Sequence, residues 1–159
     1  MKEELKKGIY IACSMIKSKK IDFSLLDFLI NYSENQSYHP FVPGKMDDAT
    51  PKEIYERDIR MLKQSKIILA DVNEPSHGVG MEIMYGIKHD IPAICLIMKK
   101  NIPLSRMVEG SPNTLVLEYE TEKELEEKMK KIRIEEIKII LCKNCREKTF
   151  HMNNKCVKC

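Results

Sequence analysis

The stretch Ser65–Gly86, SKIILADVNEPSHGVGMEIMYG, constrains what this chain can fold into more than any other. It starts with a short apolar run, Ile67–Ala70, of a length and composition that suit a buried parallel strand. Asn, Pro and Ser between Asp71 and Ser76 then break the pattern, and Gly78 and Gly80 follow. From Val79 onward, Ile83, Met84 and Ile87 recur at helical spacing. A strand, a glycine-containing turn and a helix together aim free backbone N–H groups at a phosphate or carboxylate. Glu82 falls in the first turn of the predicted helix. There the helix dipole and nearby donors are expected to keep it ionised, as a nucleophile or base requires. A βα unit with glycines for close packing and a solvent-facing Glu82 would give the same spacing.

The flanking pattern extends this unit into an α/β domain. Gly8–Ala12 (GIYIA) reads as a first strand, Cys13–Lys20 as a polar, basic loop, and Ile21–Tyr32 as an amphipathic helix. A second strand is expected within Ser37–Val42, weakened by Pro40, followed by a loop over Pro43–Ala49. Thr50-Pro51-Lys52-Glu53 opens a helix running to about Gln64, with a Thr cap, Pro at the first position and Glu closing a capping box. Ile91–Met98 and Thr114–Tyr119 read as two more strands, separated by an excursion with a short helix around Leu104–Val108. Thr121 and Glu124 form a second capping box opening the last helix of the domain. Strands separated by helices imply a doubly wound, mostly parallel sheet, and five strands suggest the flavodoxin-like order 2-1-3-4-5. In that order the loops Cys13–Lys20 and Asn73–Gly80 flank the switch point and form a ligand crevice.

Composition narrows the class. The 159 residues are 43% apolar and 32% charged, which suits a folded domain with a core and excludes a largely disordered chain. A net charge of +3 makes no case for a nucleic-acid binder. No apolar run is long enough to span a membrane, and MKEELKKG lacks the apolar core of a signal peptide. A cytoplasmic protein is expected, with its six cysteines reduced or metal-bound.

The chain divides into a domain over residues 1–133 and a linker with a tail over 134–159. Cys142, Cys145, Cys156 and Cys159 form two CxxC pairs about ten residues apart in a Lys- and Asn-rich segment. Each pair is a knuckle whose two thiolates can share one tetrahedral ion, so a structural zinc site is predicted. A redox-active or disulfide-bonded tail is the other reading, and His151 is a spare ligand. The tail has too little apolar content to fold without such a staple. Nucleic-acid or protein contact through it stays open.

Asp58 stands at i+4 between Ile54 and Leu62, on one face of its helix. Partial burial there would raise its pKa, as a general acid needs, whereas an edge position would pair it with Arg57 or Arg60. Cys13 reads as a loop residue, Cys95 as core, His77 as a turn residue, and His39 is unassigned.

The run ADVNEPSHGVGMEIMYG resembles the signature of the nucleoside 2-deoxyribosyltransferase superfamily. Within it the chain is most similar to the 2′-deoxynucleoside 5′-monophosphate N-hydrolases, which carry A-[DE]-V-x-x-P-S-x-G-V-G-x-E. The resemblance runs from about Gly8 to about Met129 and is dense between Tyr55 and Glu82. It implies that Glu82 is the catalytic carboxylate, that Asp58 in YERDIRMLKQS serves proton transfer and the sugar, and that Tyr10 orients the site. No cofactor is implied for catalysis. One ionised carboxylate and one protonated acid suit cleavage of an N-glycosidic bond.

For the 5′-phosphate the physical candidates are Ser76, Gly78, Gly80 and the N–H groups at the helix start, capped from the first loop by Ser14, the backbone of Met15 and Ile16, and the charge of Lys17. The family reads that loop as G-S-I-R-G, whereas here only Ser14 is retained and Lys17 stands in place of Arg. Ser105 matches a Ser that reaches the phosphate of a neighbouring subunit, which implies a homodimer; a helix cap is its other reading. The expected activity is hydrolysis of (2′-deoxy)nucleoside 5′-monophosphates to free base and (deoxy)ribose 5-phosphate. A 2-deoxyribosyltransferase and a non-catalytic nucleotide sensor with a partner-binding zinc tail are the alternatives.

Overall fold

The computed structural model describes residues 8–14, 23–43, 49–101 and 103–159. Met15, Ile16 and Lys17, and the expected start of the first helix at Ile21, lie outside the described residues. Five strands form one sheet: β1 (Gly8–Ala12), β2 (His39–Phe41), β3 (Ser65–Asp71), β4 (Ala93–Met98) and β5 (Thr114–Tyr119). All neighbours pair in parallel, in the order β2-β1-β3-β4-β5, which is the expected topology. β2 is shorter than its sequence suggested because it contains Pro40 and lies at the sheet edge, where a missing N–H costs least.

Strand residues alternate between two buried faces, as a sheet covered on both sides requires. Ile9, Ile11, Ile67, Leu69, Ile94 and Leu96 face one core, closed by Leu25 and Leu29 of α1 (Phe23–Asn35) and Leu125 and Met129 of α5 (Glu122–Met129). Tyr10, Ala12, Ile68, Ala70 and Cys95 face the other, closed by Leu62 of α2 (Pro51–Lys63) and Val79 and Ile83 of α3 (His77–Lys88). The second helix layer sits close to the sheet at Gly86. A Cβ there would lie 2.7 Å from Ile68 Cδ1 and 3.1 Å from the Ile91 carbonyl.

Local chemistry sets the helix starts. Thr50 Oγ1 accepts from the Glu53 N–H at 3.3 Å, and Glu53 accepts from the Thr50 N–H at 2.8 Å, completing the expected box. At α5 only half of the expected box forms. Thr121 Oγ1 accepts from the Glu124 N–H, but the Glu124 carboxylate takes the Glu120 N–H at 2.8 Å instead of that of Thr121. The predicted short helix after β4 is α4 (Arg106–Glu109), within the crossover to β5.

After α5 the chain stays with the domain. Ile132, Ile134 and Ile137 are buried in the first core, and the Tyr32 hydroxyl donates to the Ile132 carbonyl at 2.8 Å. Strands β6 (Lys138–Leu141), β7 (Lys148–Met152) and β8 (Lys155–Cys156) then form an antiparallel ribbon. Asn153 and Asn154 turn between β7 and β8 with φ of 52° and 61°, a conformation Asn tolerates better than most residues. Phe150 of β7 is fully buried in the first core, and its N–H donates to the Pro112 carbonyl at 3.1 Å.

Candidate active site

β1 and α3 bring together two residues 72 apart in sequence: the Tyr10 hydroxyl donates to Glu82 Oε1 at 2.7 Å. Tyr10 reaches Glu82 because it points to the face of the sheet that α3 covers. Glu82 Oε2 is buried and has no hydrogen-bond partner among the described residues. One oxygen is thus fixed and the other uncommitted.

Burial pushes Glu82 up to about 7, and the neighbouring Asp58 adds to the rise, while the Tyr10 hydrogen bond and Arg57 oppose it. The expectation that Glu82 sits in the first turn and is kept ionised by the helix dipole is overturned: α3 starts at His77, which puts Glu82 in its second turn, beyond the reach of the N-terminal dipole, and withdrawal from water raises its pKa. The same burial, with the Glu82 carboxylate beside it, drives the Tyr10 phenol far above its usual range, so it remains a donor.

Asp58 is shielded and carries a cationic partner. Arg57, itself buried, directs Nε and Nη2 to Asp58 Oδ1 at 2.8 and 2.7 Å. The alternative of an Arg57 partner for Asp58 is therefore realised, but inside the cleft wall and not at a solvated edge. Burial loads Glu82, and a guanidinium faces Asp58.

Both carboxylates line a cleft of about 750 Å³ between α2 and α3, with Ile54, Tyr55, Gly78 and Gly80 among its other walls. Ser76 caps α3, accepting from the Val79 N–H at 3.4 Å, and by helix geometry the amides of His77 and Gly78 are left as donors. Gly78 and Gly80 are not there for packing. Among the described residues, a Cβ on Gly80 would meet nothing within 4 Å, and one on Gly78 only Ser76 Oγ at 3.9 Å. Their missing side chains keep the mouth of the helix open. His77 is exposed and also lines the cleft.

Ser14 lies just past the C-terminal end of β1 and Ser105 at the start of α4; neither is among the residues lining the cleft. Ser105 occupies the cap position of α4, yet its side chain is exposed and makes no capping bond. Cys13 is half-buried near Asp71 and Glu82 and is pushed up to about 11, and buried Cys95 to about 12, so both stay thiols.

Sequence reasoning passed over Asn73. Its side chain donates to Asp71 Oδ1 at 2.7 Å and to the Tyr119 hydroxyl at 3.2 Å. It also accepts from the Met98 N–H at 2.7 Å and from Asn101 at 2.9 Å. It therefore ties together the C-terminal ends of β3, β4 and β5, at the start of the loop that leads into α3. The D-x-N pattern at the strand end, which favours a local side-chain turn, was the available signal.

The four tail cysteines converge, their Sγ atoms all within 4.8 Å of one another. Cys142 accepts backbone N–H donors from Asn144 and Cys145, and Cys156 from Lys158 and Cys159. Thr149 and those donors hold Cys156 down to about 6, while Cys159 is pushed up to about 12 by its sulfur neighbours. Four sulfurs this close can all be thiolates only around a cation, so the group is able to hold a metal ion. His151 is buried opposite Cys156 in the ribbon register, with no hydrogen-bond partner for either ring nitrogen among the described residues, and is not one of the four.

No protein-family model matches the chain. It is 34% identical over 105 residues to a Syntrophotalea carbinolica protein called "Putative 2′-deoxynucleoside 5′-phosphate N-hydrolase 1", covering 64% of this chain and 74% of that relative. A Thermofilum pendens protein of the same name is 36% identical over 110 residues, covering 64% of this chain and 76% of the relative. Among solved structures, the CMP N-glycosidase BcmB of Clostridium botulinum superposes with a TM-score of 0.62 at 19% identity. That match covers 78% of this chain and 99% of the neighbour, and it shows a shared fold. With the relatives covered over about three quarters of their length, this chain belongs to the 2′-deoxynucleoside 5′-phosphate N-hydrolase family.

Proposed function

We propose that the protein hydrolyses the N-glycosidic bond of (2′-deoxy)nucleoside 5′-monophosphates, releasing free base and (deoxy)ribose 5-phosphate. The observation that carries this reading is the geometry of Glu82: one oxygen fixed by Tyr10, the other uncommitted in a cleft beside an open helix N-terminus. In its ionised form, Glu82 attacks the anomeric carbon through Oε2 as the bond from that carbon to the base nitrogen breaks. The positive charge developing on the sugar is stabilised by the carboxylate beneath it. Water then cleaves the glycosyl ester, giving its hydroxyl to the sugar and a proton to the released base. Asp58, held by Arg57, sits where it can hydrogen-bond the sugar and relay that proton.

Ser76 and the amides of His77 and Gly78 receive the phosphate at the helix N-terminus, with Ser14 above them. Ser105 reaches the phosphate of a second copy, in a homodimer. The dimer reading is supported by three large apolar side chains at the cleft: Tyr55, Met81 and Met84 are 57%, 63% and 40% exposed. Zinc suits the four-thiolate site, and the cytoplasm supplies both monophosphates and reduced cysteines. Among the described residues no helix is long and apolar enough to cross a membrane.

Base release from a panel of nucleosides and 5′-monophosphates, ribo and deoxy, tests this directly. Turnover of monophosphates alone, abolished in Glu82→Ala, is the expected result. Turnover in Glu82→Ala, or base exchange confined to nucleosides, would overturn it.

A further inference from the structure

The four-cysteine ribbon touches the domain at a place with consequences for the site. Lys158 lies between two of the cysteines, and its N–H donates to Cys156 Sγ at 3.4 Å. Its ammonium reaches the carbonyl of Glu109, the last residue of α4, at 3.2 Å. A cation there satisfies a helix C-terminus. Phe150, beside Thr149, whose hydroxyl lies 3.2 Å from Cys156 Sγ, donates its N–H to Pro112 in the same crossover. Lys148 completes the seam with an ion pair to Asp90 at 2.8 Å.

The crossover has little to hold itself. α4 is a single four-residue turn, too short to persist alone, and its cap residue Ser105 makes no side-chain capping bond. Its C-terminal end is stitched internally by Ser111 and Thr114 and externally by Lys158. The position of Lys158 is in turn tied to the four-sulfur group by its N–H bond to Cys156 Sγ and by its place in the chain next to Cys159.

We infer that a thiophilic divalent cation of the zinc class, held by Cys142, Cys145, Cys156 and Cys159, clamps the α4 crossover through Lys158 and Phe150 and so sets how firmly Ser105 holds a substrate phosphate. The clamp stands on the contacts above; its effect on phosphate rests on the function proposed for Ser105. Metal loss frees Lys158 from its two flanking ligands, removes the cap from α4, and lets Ser105 drift.

Hydrogen exchange separates the two halves. Full-length protein is compared with Zn²⁺ bound, after chelation, and as zinc-loaded Lys158→Met, which keeps all four ligands. Amide exchange over residues 106–114 is expected to accelerate roughly ten-fold in both altered states, with β3 unchanged. KM for a deoxynucleoside monophosphate is expected to rise roughly five-fold in both, with kcat little changed. Lys158→Arg, which retains a cation, should restore both readouts. If chelation also opens β3, the zinc-loaded Lys158→Met protein alone decides. Unchanged exchange over 106–114 in Lys158→Met overturns the clamp. Accelerated exchange with an unmoved KM upholds the clamp and overturns the phosphate role of Ser105.

Discussion

Glu82 is asked to be both buried and charged, and the two demands leave measurable traces. A free Glu titrates near 4.5, whereas this one is pushed up to about 7 by burial. Between those values the folded protein holds a proton that the unfolded chain has released, so stability falls as pH rises through that window and is level above it. Glu82→Gln should therefore stabilise the fold at pH 8 by about 3 kcal/mol and do nothing at pH 4, as read by urea unfolding. Catalysis runs the other way: kcat/KM should climb with pH through about 7 as the nucleophile ionises. Tyr10→Phe removes a bond that favours the ionised form, so the midpoint of that climb should move to higher pH. The residue types at this site were legible in the sequence, but the ionisation of Glu82 was not. Spacing does not show that Glu82 lies in the second turn of α3 or how deeply the fold buries it, and the charge of Asp58 and the hydrogen bond from Tyr10 arrive from elsewhere in the chain.

Three glycines on one helix have two different jobs, and substitution tells them apart. Gly86→Ala drives a methyl group against Ile68 and the Ile91 carbonyl, and should cost about 1–3 kcal/mol in spite of better helix propensity. Gly80→Ala meets open space and should gain about 0.5–1 kcal/mol, while narrowing the cleft and raising KM. Thermal melts with parallel kinetics check both. Elements marked by local chemistry were readable in advance: Thr50, Pro51 and Glu53 announce α2 without reference to anything else. Elements decided by neighbours were not. Pro40 permits β2 only because that strand lies at an edge, and Glu124 closes on Glu120 because of where β5 ends. The glycine spacing near Glu82 fitted close packing and an open anion site equally well until the atoms around each Cα were known.

Across the whole molecule, the tail and the exposed wall of the cleft differ in how far the sequence revealed them. The convergence of Cys142, Cys145, Cys156 and Cys159 was plain from the spacing of the two pairs, but the docking of Phe150 into the first core was not. One aromatic residue in a polar tail has no periodicity to betray its side. Met81 and Met84 stand exposed at the cleft, and Met84→Glu should leave a monomer by sedimentation, with turnover lost although Tyr10 and Glu82 are untouched. On the proposed dimer, Ser105 serves a cleft other than its own. An inactive Glu82→Ala chain mixed with a Ser105→Ala chain should then regain activity, because one cleft of each mixed pair is intact. On that proposal, the exposed hydroxyl of Ser105 would make turnover a property of encounter between chains. Specific activity should fall as the enzyme is diluted below the dissociation constant of the dimer, and substrate, by bridging two subunits, should hold the pair together.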